Sequence, residues 1–354
     1  MTCYHPLIRY ETWEQYTCLD GHKAYKANVI HPEPGYMDQY ENAEEMEQNL
    51  MAKNHYRHVQ VIPCGKCIGC RLENSRDWAT KGSYEALLHK DNWFLTITYD
   101  DEHLPEAQTR INPETGEEQN PNPGGTLQPE HITLFIKRLR TTYERKYNHK
   151  GIRYMAAGEY GSETGRAHYH MILFNCPINP TQMKFWKYNE NHEALWRCPD
   201  LEKIWGKGMI VAAEVNWNTI AYVARYCMKK EHIMKKEDYD LLGIEPEFLR
   251  ASNKPGIGRE YFEQHKNEIY SNDTIKVKKY GGGLLELRPP KYYDNLYDIE
   301  NHEELEKIKE RRKKNQEFRT RLKYSKTTNY KKTQLKNEEE TKRQQASSLI
   351  RNKI

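Results

Sequence analysis

No stretch of this 354-residue chain approaches the roughly 18–20 consecutive apolar residues of a membrane helix, so no membrane role is expected. The opening Met1 to Pro6 lacks a basic segment followed by an apolar core, and a cleaved export signal is not expected either. No Gly-x4-Gly-Lys-Ser/Thr loop is present, which argues against a fused helicase motor. No internal repeat is apparent. Apolar residues are scarce at 37%, whereas charged residues reach 30% against roughly 25% in ordinary domains. Such a chain makes one large domain or two small ones, with solvated extensions.

What is present is unevenly distributed. Residues 301–354 hold seventeen Lys/Arg against eight Asp/Glu, a net +9; with +4 overall, the remainder is −5. That segment reads as a basic, partly disordered tail able to condense on phosphates. Leu305, Ile308 and Arg312 permit only a short helix within it. Three of the eight cysteines fall in Cys64-x2-Cys67-x2-Cys70. Without an export signal this spacing favours metal over disulfides, and a reducing, cytoplasmic compartment. A structural zinc takes four ligands, so Cys3, His5 or Cys18 must complete the set, Cys3 being the first choice. An iron–sulfur cluster of the C-x2-C-x2-C-x3-C type fails because Asn74 stands at the fourth position.

Residues before about His58 read as irregular. A helix is expected over Arg71–His89, with Leu72, Trp78, Ala79, Ala86 and Leu87 inward. Trp93–Tyr99 alternates and is rich in aromatic and β-branched residues, as a strand should be. Pro129 opens a helix whose Ile132, Phe135, Ile136 and Leu139 form one stripe down to Tyr147. Strands follow at Ile152–Glu159, Ala167–Phe174 and Met209–Val215, then a helix from Asn218 or Thr219 through Lys230. This order predicts an α+β fold, a mainly antiparallel sheet with helices on one face. The tryptophans Trp186, Trp196, Trp205 and Trp217 are irregularly spaced, which favours core packing over base stacking.

The Ala167–Phe174 run carries the sharpest chemical signal. Alternation sends Tyr169, Met171 and Leu173 one way and His168 and His170 the other, so two imidazoles stand side by side. A symmetric hairpin with Ile152–Glu159 sets Glu159 opposite His168. Two imidazoles and a carboxylate with open positions suit manganese well and magnesium acceptably. In the later helix, Tyr222 and Tyr226 are four apart and share a face, with Lys229 and Lys230 near it. A phenol attacks phosphorus when a cation polarises the phosphate and another favours the phenolate. The ester formed keeps the cleaved bond's energy, so rejoining needs no ATP.

In this combination the sequence resembles the HUH (His-hydrophobe-His) rolling-circle replication initiators of microvirus, gokushovirus-like single-stranded DNA bacteriophages. Phe94–Tyr99 is similar to the family's first strand motif, His168-Tyr169-His170 to its His-x-His motif, and Tyr222-x3-Tyr226-x2-Lys229 to its two-tyrosine motif. The likeness extends to Met1–Pro6, Cys64–Ala79, Lys254–Gly258 and Pro289–Asp294. It implies an RRM-like nuclease core over residues 91–232, between a Cys-rich 1–90 region and a 233–300 extension, with the tail at 301–354. It also implies nicking of origin DNA in a bacterial host's cytoplasm, leaving a 5′-phosphotyrosine and a 3′-OH for the host polymerase; unwinding falls to a host helicase. By the same likeness Glu159, His168 and His170 bind Mg²⁺ or Mn²⁺, Tyr222 and Tyr226 are nucleophiles, and Lys229 assists at the phosphate. The competing readings are a zinc-containing nucleic-acid-binding protein without activity and a single-tyrosine relaxase or transposase.

Overall fold

Residues read as irregular from the sequence form a small antiparallel sheet. Strands β1 (Leu7–Thr17), β2 (Lys23–Ile30) and β3 (His58–Ile62) lie in the order β2-β1-β3, and helix α1 (Ala43–Asn54) supplies Met46 and Leu50 against Ile8 and Val59. The correction has a plain cause: β1 is mostly polar and mostly exposed, so it shows little alternation of burial. The computed structural model describes residues 3–18, 23–32, 43–111, 115–119, 122–190, 192–229, 236–278, 282–324 and 331–350. Contacts divide them into two units, 1–73 with 314–352 and a second built on 74–313. Helix α2 (Ile68–Leu87) contributes to both.

The second unit is organised by a seven-stranded antiparallel sheet. It contains β4 (Trp93–Thr98), then, after the paired β5 (Arg110–Ile111) and β6 (Glu118–Gln119) and helix α3 (Pro129–Tyr147), the hairpin β7 (Arg153–Tyr160) and β8 (Ala167–Phe174). Strands β9 (Lys184–Tyr188), β10 (Ala194–Arg197), β11 (Ile210–Glu214) and β12 (Phe248–Ala251) complete the order β12-β7-β8-β4-β11-β10-β9. Interleaved with them are α4 (Pro199–Trp205), α5 (Trp217–Lys229) and α6 (Lys236–Leu242). After β12 come α7 (Arg259–Asn272), the hairpin β13 (Ile275–Lys278) and β14 (Leu284–Leu287), α8 (Lys291–Glu300) and α9 (His302–Tyr324). Helix α10 (Lys331–Ile350) closes the described chain, and no described helix is long and apolar enough to cross a membrane.

The helices cover both faces of the sheet, not one. On one face Ile132, Phe135, Leu139, Leu201 and Trp205 pack on Tyr169, Met171 and Leu173; on the other Ala79, Ile220, Val223 and Ala224 pack on Phe94, Ile172 and Phe174. The consecutive apolar run Met171–Phe174 is the signature of a strand covered twice. In α2 only Ala79 of the five expected inward residues is buried; Leu87 is 71% exposed, and Tyr84 and Glu85 are buried instead. Of the tryptophans, Trp205 is buried, whereas Trp186 is exposed. The 233–300 segment is not merely appended: its β12 pairs with β7 in the main sheet. Nor is the basic segment unstructured where it is described, being helical in α9 and α10. Leu305 and Ile308 bury against Tyr270 and Tyr297, and Arg312 forks onto Asp273 and Asp294, which explains the first of these helices.

One buried ion pair ties α2 to the sheet. Glu85, 2% exposed, accepts from Arg153 Nε, from Gly258 N at 2.7 Å and from His89 Nε2 at 3.4 Å. Burial alone would raise its carboxyl, but these donors and the guanidinium charge outweigh burial and hold it below the usual range. Because the folded value is depressed, its stabilisation is present above the unfolded value near ~4.3 and is lost as pH falls through the folded one. Arg153→Met is expected to cost about 3–5 kcal/mol by urea unfolding at neutral pH. The difference from wild type should shrink once the pH drops below about 4.

Candidate metal centre

The hairpin places the two histidines and the glutamate as its register requires. Glu159 pairs with His168 and Ala157 with His170, while Thr96 and Thr98 of β4 flank them as partners of His170 and His168. His168 Nε2 and His170 Nε2 stand 3.2 Å apart, and Glu159 Oε2 lies 3.5 and 3.3 Å from them. Donors about 2.1 Å from one centre are separated by about 3.0–3.4 Å in octahedral or tetrahedral sets, so the three atoms fit a single divalent cation. Glu159 and His170 are 8% and 6% exposed. Carboxylate and imidazole packed this closely out of water fit an ion better than they fit one another.

The remaining ring nitrogens are committed elsewhere. His168 Nδ1 lies 3.0 Å from the Arg166 carbonyl oxygen, to which it donates, and His170 Nδ1 lies 3.2 Å from Thr96 Oγ1. Both contacts hold the imidazoles as Nδ1–H tautomers with Nε2 lone pairs facing Glu159. Phe94 stacks on His170 at 5.6 Å between centroids and 10° between planes, which locks the ring. Thr96→Val is expected to weaken Mn²⁺ binding about 10–100-fold in calorimetric titration. An unchanged affinity would remove Thr96 from this orienting role.

Helix α5 brings a phenol to the same point. Tyr222 Oη is 3.3 Å from Glu159 Oε2 and 3.4 Å from His170 Nε2, with its ring edge-on to His170 and to Phe94. Helical phase explains this: Ile220, Val223 and Ala224 bury on the sheet, and Tyr222 sits at the margin of that stripe. The Arg225 guanidinium lies 5.5 Å from the Tyr222 ring centroid. Thr96 and Arg225 are the site residues that sequence reasoning missed. Thr96 was hidden inside a strand motif, and Arg225 needed the α5 orientation. Tyr226 and Lys229 continue the α5 backbone, but their side chains lie outside the described residues.

In the first unit, Cys3, Cys64, Cys67 and Cys70 converge with all sulfurs within 4.8 Å of one another. Cys64 and Cys70 Sγ are 4.0 Å apart and Cys67 and Cys3 Sγ 3.9 Å, close to the ~3.8 Å edge of a tetrahedron with 2.3 Å zinc–sulfur bonds. Backbone N–H groups of Tyr4 and Cys64 donate to Cys67 Sγ and Cys3 Sγ at 3.3 Å. The Cys3 thiol as donor holds Cys67 down to about 3, so that sulfur is a thiolate at neutral pH. His5, the competing ligand, instead contacts Glu339 Oε2 at 2.9 Å.

The fold and this site define an α+β protein whose antiparallel sheet presents a Glu/His/His cation cradle to a helix-borne tyrosine. A family model for replication-associated proteins of the ORF2 type matches residues 92–231, the span from β4 through α5. The chain is 35% identical over 296 residues to replication-associated protein ORF2 of Spiroplasma virus 4, covering 82% of each. It is 32% identical to replication-associated protein VP4 of Bdellovibrio phage phiMH2K, covering 69% of each. Against replication-associated protein ORF4 of Chlamydia phage 1 it is 29% identical, over 66% of this chain and 53% of that one. No solved structure matches. The chain belongs to this family of phage replication-associated proteins.

Proposed function

We propose that the protein initiates rolling-circle replication by nicking origin DNA through a tyrosine nucleophile and later rejoining the strand. The observation that carries this reading is the Tyr222 hydroxyl 3.3–3.4 Å from two members of the Glu159/His168/His170 set. Mg²⁺ or Mn²⁺ held by that set supplies the positive charge that polarises the scissile phosphate. Tyr222 Oη bonds to phosphorus as the bond to the 3′ oxygen breaks; the phenolic proton is lost and the 3′ oxygen gains one, leaving a hydroxyl. Arg225 beside the ring favours the phenolate. Tyr226, one turn along α5, is the second nucleophile and Lys229 the phosphate contact, as the two-tyrosine motif implies. The four thiols hold a structural zinc in the first unit. The setting is the cytoplasm of a bacterial host, whose helicase unwinds the duplex and whose polymerase extends the 3′-OH.

Incubation of the protein and Mn²⁺ with single-stranded DNA carrying the cognate origin tests this reading. A protein–DNA adduct that survives denaturation and is blocked by EDTA is expected. DNA binding without an adduct on any candidate origin would instead favour the inactive zinc-containing binder.

A further inference from the structure

Strand β9 is the outermost strand of the main sheet and is exposed at all five residues, Lys184, Phe185, Trp186, Lys187 and Tyr188. Phe185, Trp186 and Tyr188 are 49%, 43% and 63% exposed. Single exposed aromatics are ordinary, but three within five residues on a free sheet edge are a binding surface or a liability. The backbone arranges them. Trp196 of β10 pairs with Phe185 and the adjacent Leu195 with Lys187, so Trp186 is the extra residue of a β-bulge. Three apart on a regular strand, Phe185 and Tyr188 would face opposite ways; the bulge brings their centroids to 5.1 Å. Phe185 also meets Trp196 edge-on at 5.5 Å, extending the aromatic patch onto β10. The Lys187 ammonium lies 4.5 Å from the Trp186 ring centroid.

We infer that β9 is a stacking platform for single-stranded DNA, a contact separate from the cation cradle and four strand positions away in the sheet. Unpaired bases offer flat faces to exposed rings, and Lys184 and Lys187 offer charge to the phosphates between them. A duplex buries those base faces and gains only the charge. The rival occupant, a second copy pairing edge to edge, would gather four ammonium groups in one short ladder with no carboxylate on either strand. The inference rests on the proposed reading that single-stranded DNA is the substrate, and it extends that reading from the reacting phosphate to the flanking strand.

The test uses the full chain in EDTA, where no cleavage intervenes, and fluorescence anisotropy with labelled oligo-dT. Trp186→Ala and Tyr188→Ala are each expected to weaken binding about tenfold, while leaving duplex affinity within about twofold. Lys184→Ala with Lys187→Ala should flatten the dependence of affinity on salt. Photocrosslinking to an iodouracil oligomer should mark the 184–188 peptide. Unchanged oligo-dT affinity in the two aromatic variants, at unchanged melting temperature, overturns the inference. So does a shift from dimer to monomer in Trp186→Ala with DNA binding intact. If wild type forms no adduct on any origin but oligo-dT binding still needs Trp186, the nicking reading fails and the platform stands. Adduct formation with Trp186-independent binding is the converse.

Discussion

Tyr222→Phe is expected to lower adduct formation on origin DNA by a factor on the order of 10³ or more, with oligo-dT affinity kept within about twofold. The change removes one oxygen and leaves the ring that packs edge-on against His170 and Phe94, so the fold should persist. Tyr226→Phe provides the contrast. If the two tyrosines act in alternation, Tyr226→Phe should permit a first adduct and fail at the second transfer. Quantifying adducts and rejoined circles separates these steps. Equal adduct yields for wild type and Tyr222→Phe would mean that the phenol at the cradle is not the attacking group. A single-tyrosine mechanism would appear as loss of all transfer in one variant and none in the other.

The second large effect is expected from the cysteine cluster. The first unit's sheet and α1 share a core of only four buried side chains, Ile8, Met46, Leu50 and Val59. So small a core is marginal without a staple. Four sulfurs at tetrahedral spacing join Cys3, ahead of β1, to the start of α2, and structural zinc supplies on the order of 10 kcal/mol of folding free energy in small domains. Elemental analysis should find one zinc per chain, lost in Cys67→Ser. Limited proteolysis should then cut within residues 1–73 much sooner, while fragments of the main sheet remain protected. Four freely alkylated thiols in metal-free wild type of undiminished stability would sink the assignment.

Legibility followed the range of the interactions. Pro129–Tyr147 was readable because Pro129 starts the helix and Asn148 ends it in the left-handed region, with a period-3.6 stripe between. The Glu159–His168 pairing was readable because a short hairpin fixes register from its turn outward. Strands β1 to β3 were not, because their exposed faces blur alternation and their partners lie tens of residues apart. The helical state of α9 depended on Asp273 and Asp294 meeting Arg312 and on Leu305 and Ile308 finding a core, none of which composition reveals.

By itself the sequence determined the ligand types, their side of a strand and the spacing of the tyrosines, because these obey periods of 2 and 3.6 residues along one chain. The tertiary structure alone decided that Tyr222 Oη rests on Glu159 and His170, that Thr96 and Arg225 frame them, that Cys3 rather than His5 joins the thiols, and that a bulge gathers Phe185 with Tyr188. Each of those outcomes depends on how separate elements cross or pair. That is set by side-chain packing between segments distant in sequence, or by an irregular backbone step, and no local periodicity encodes either.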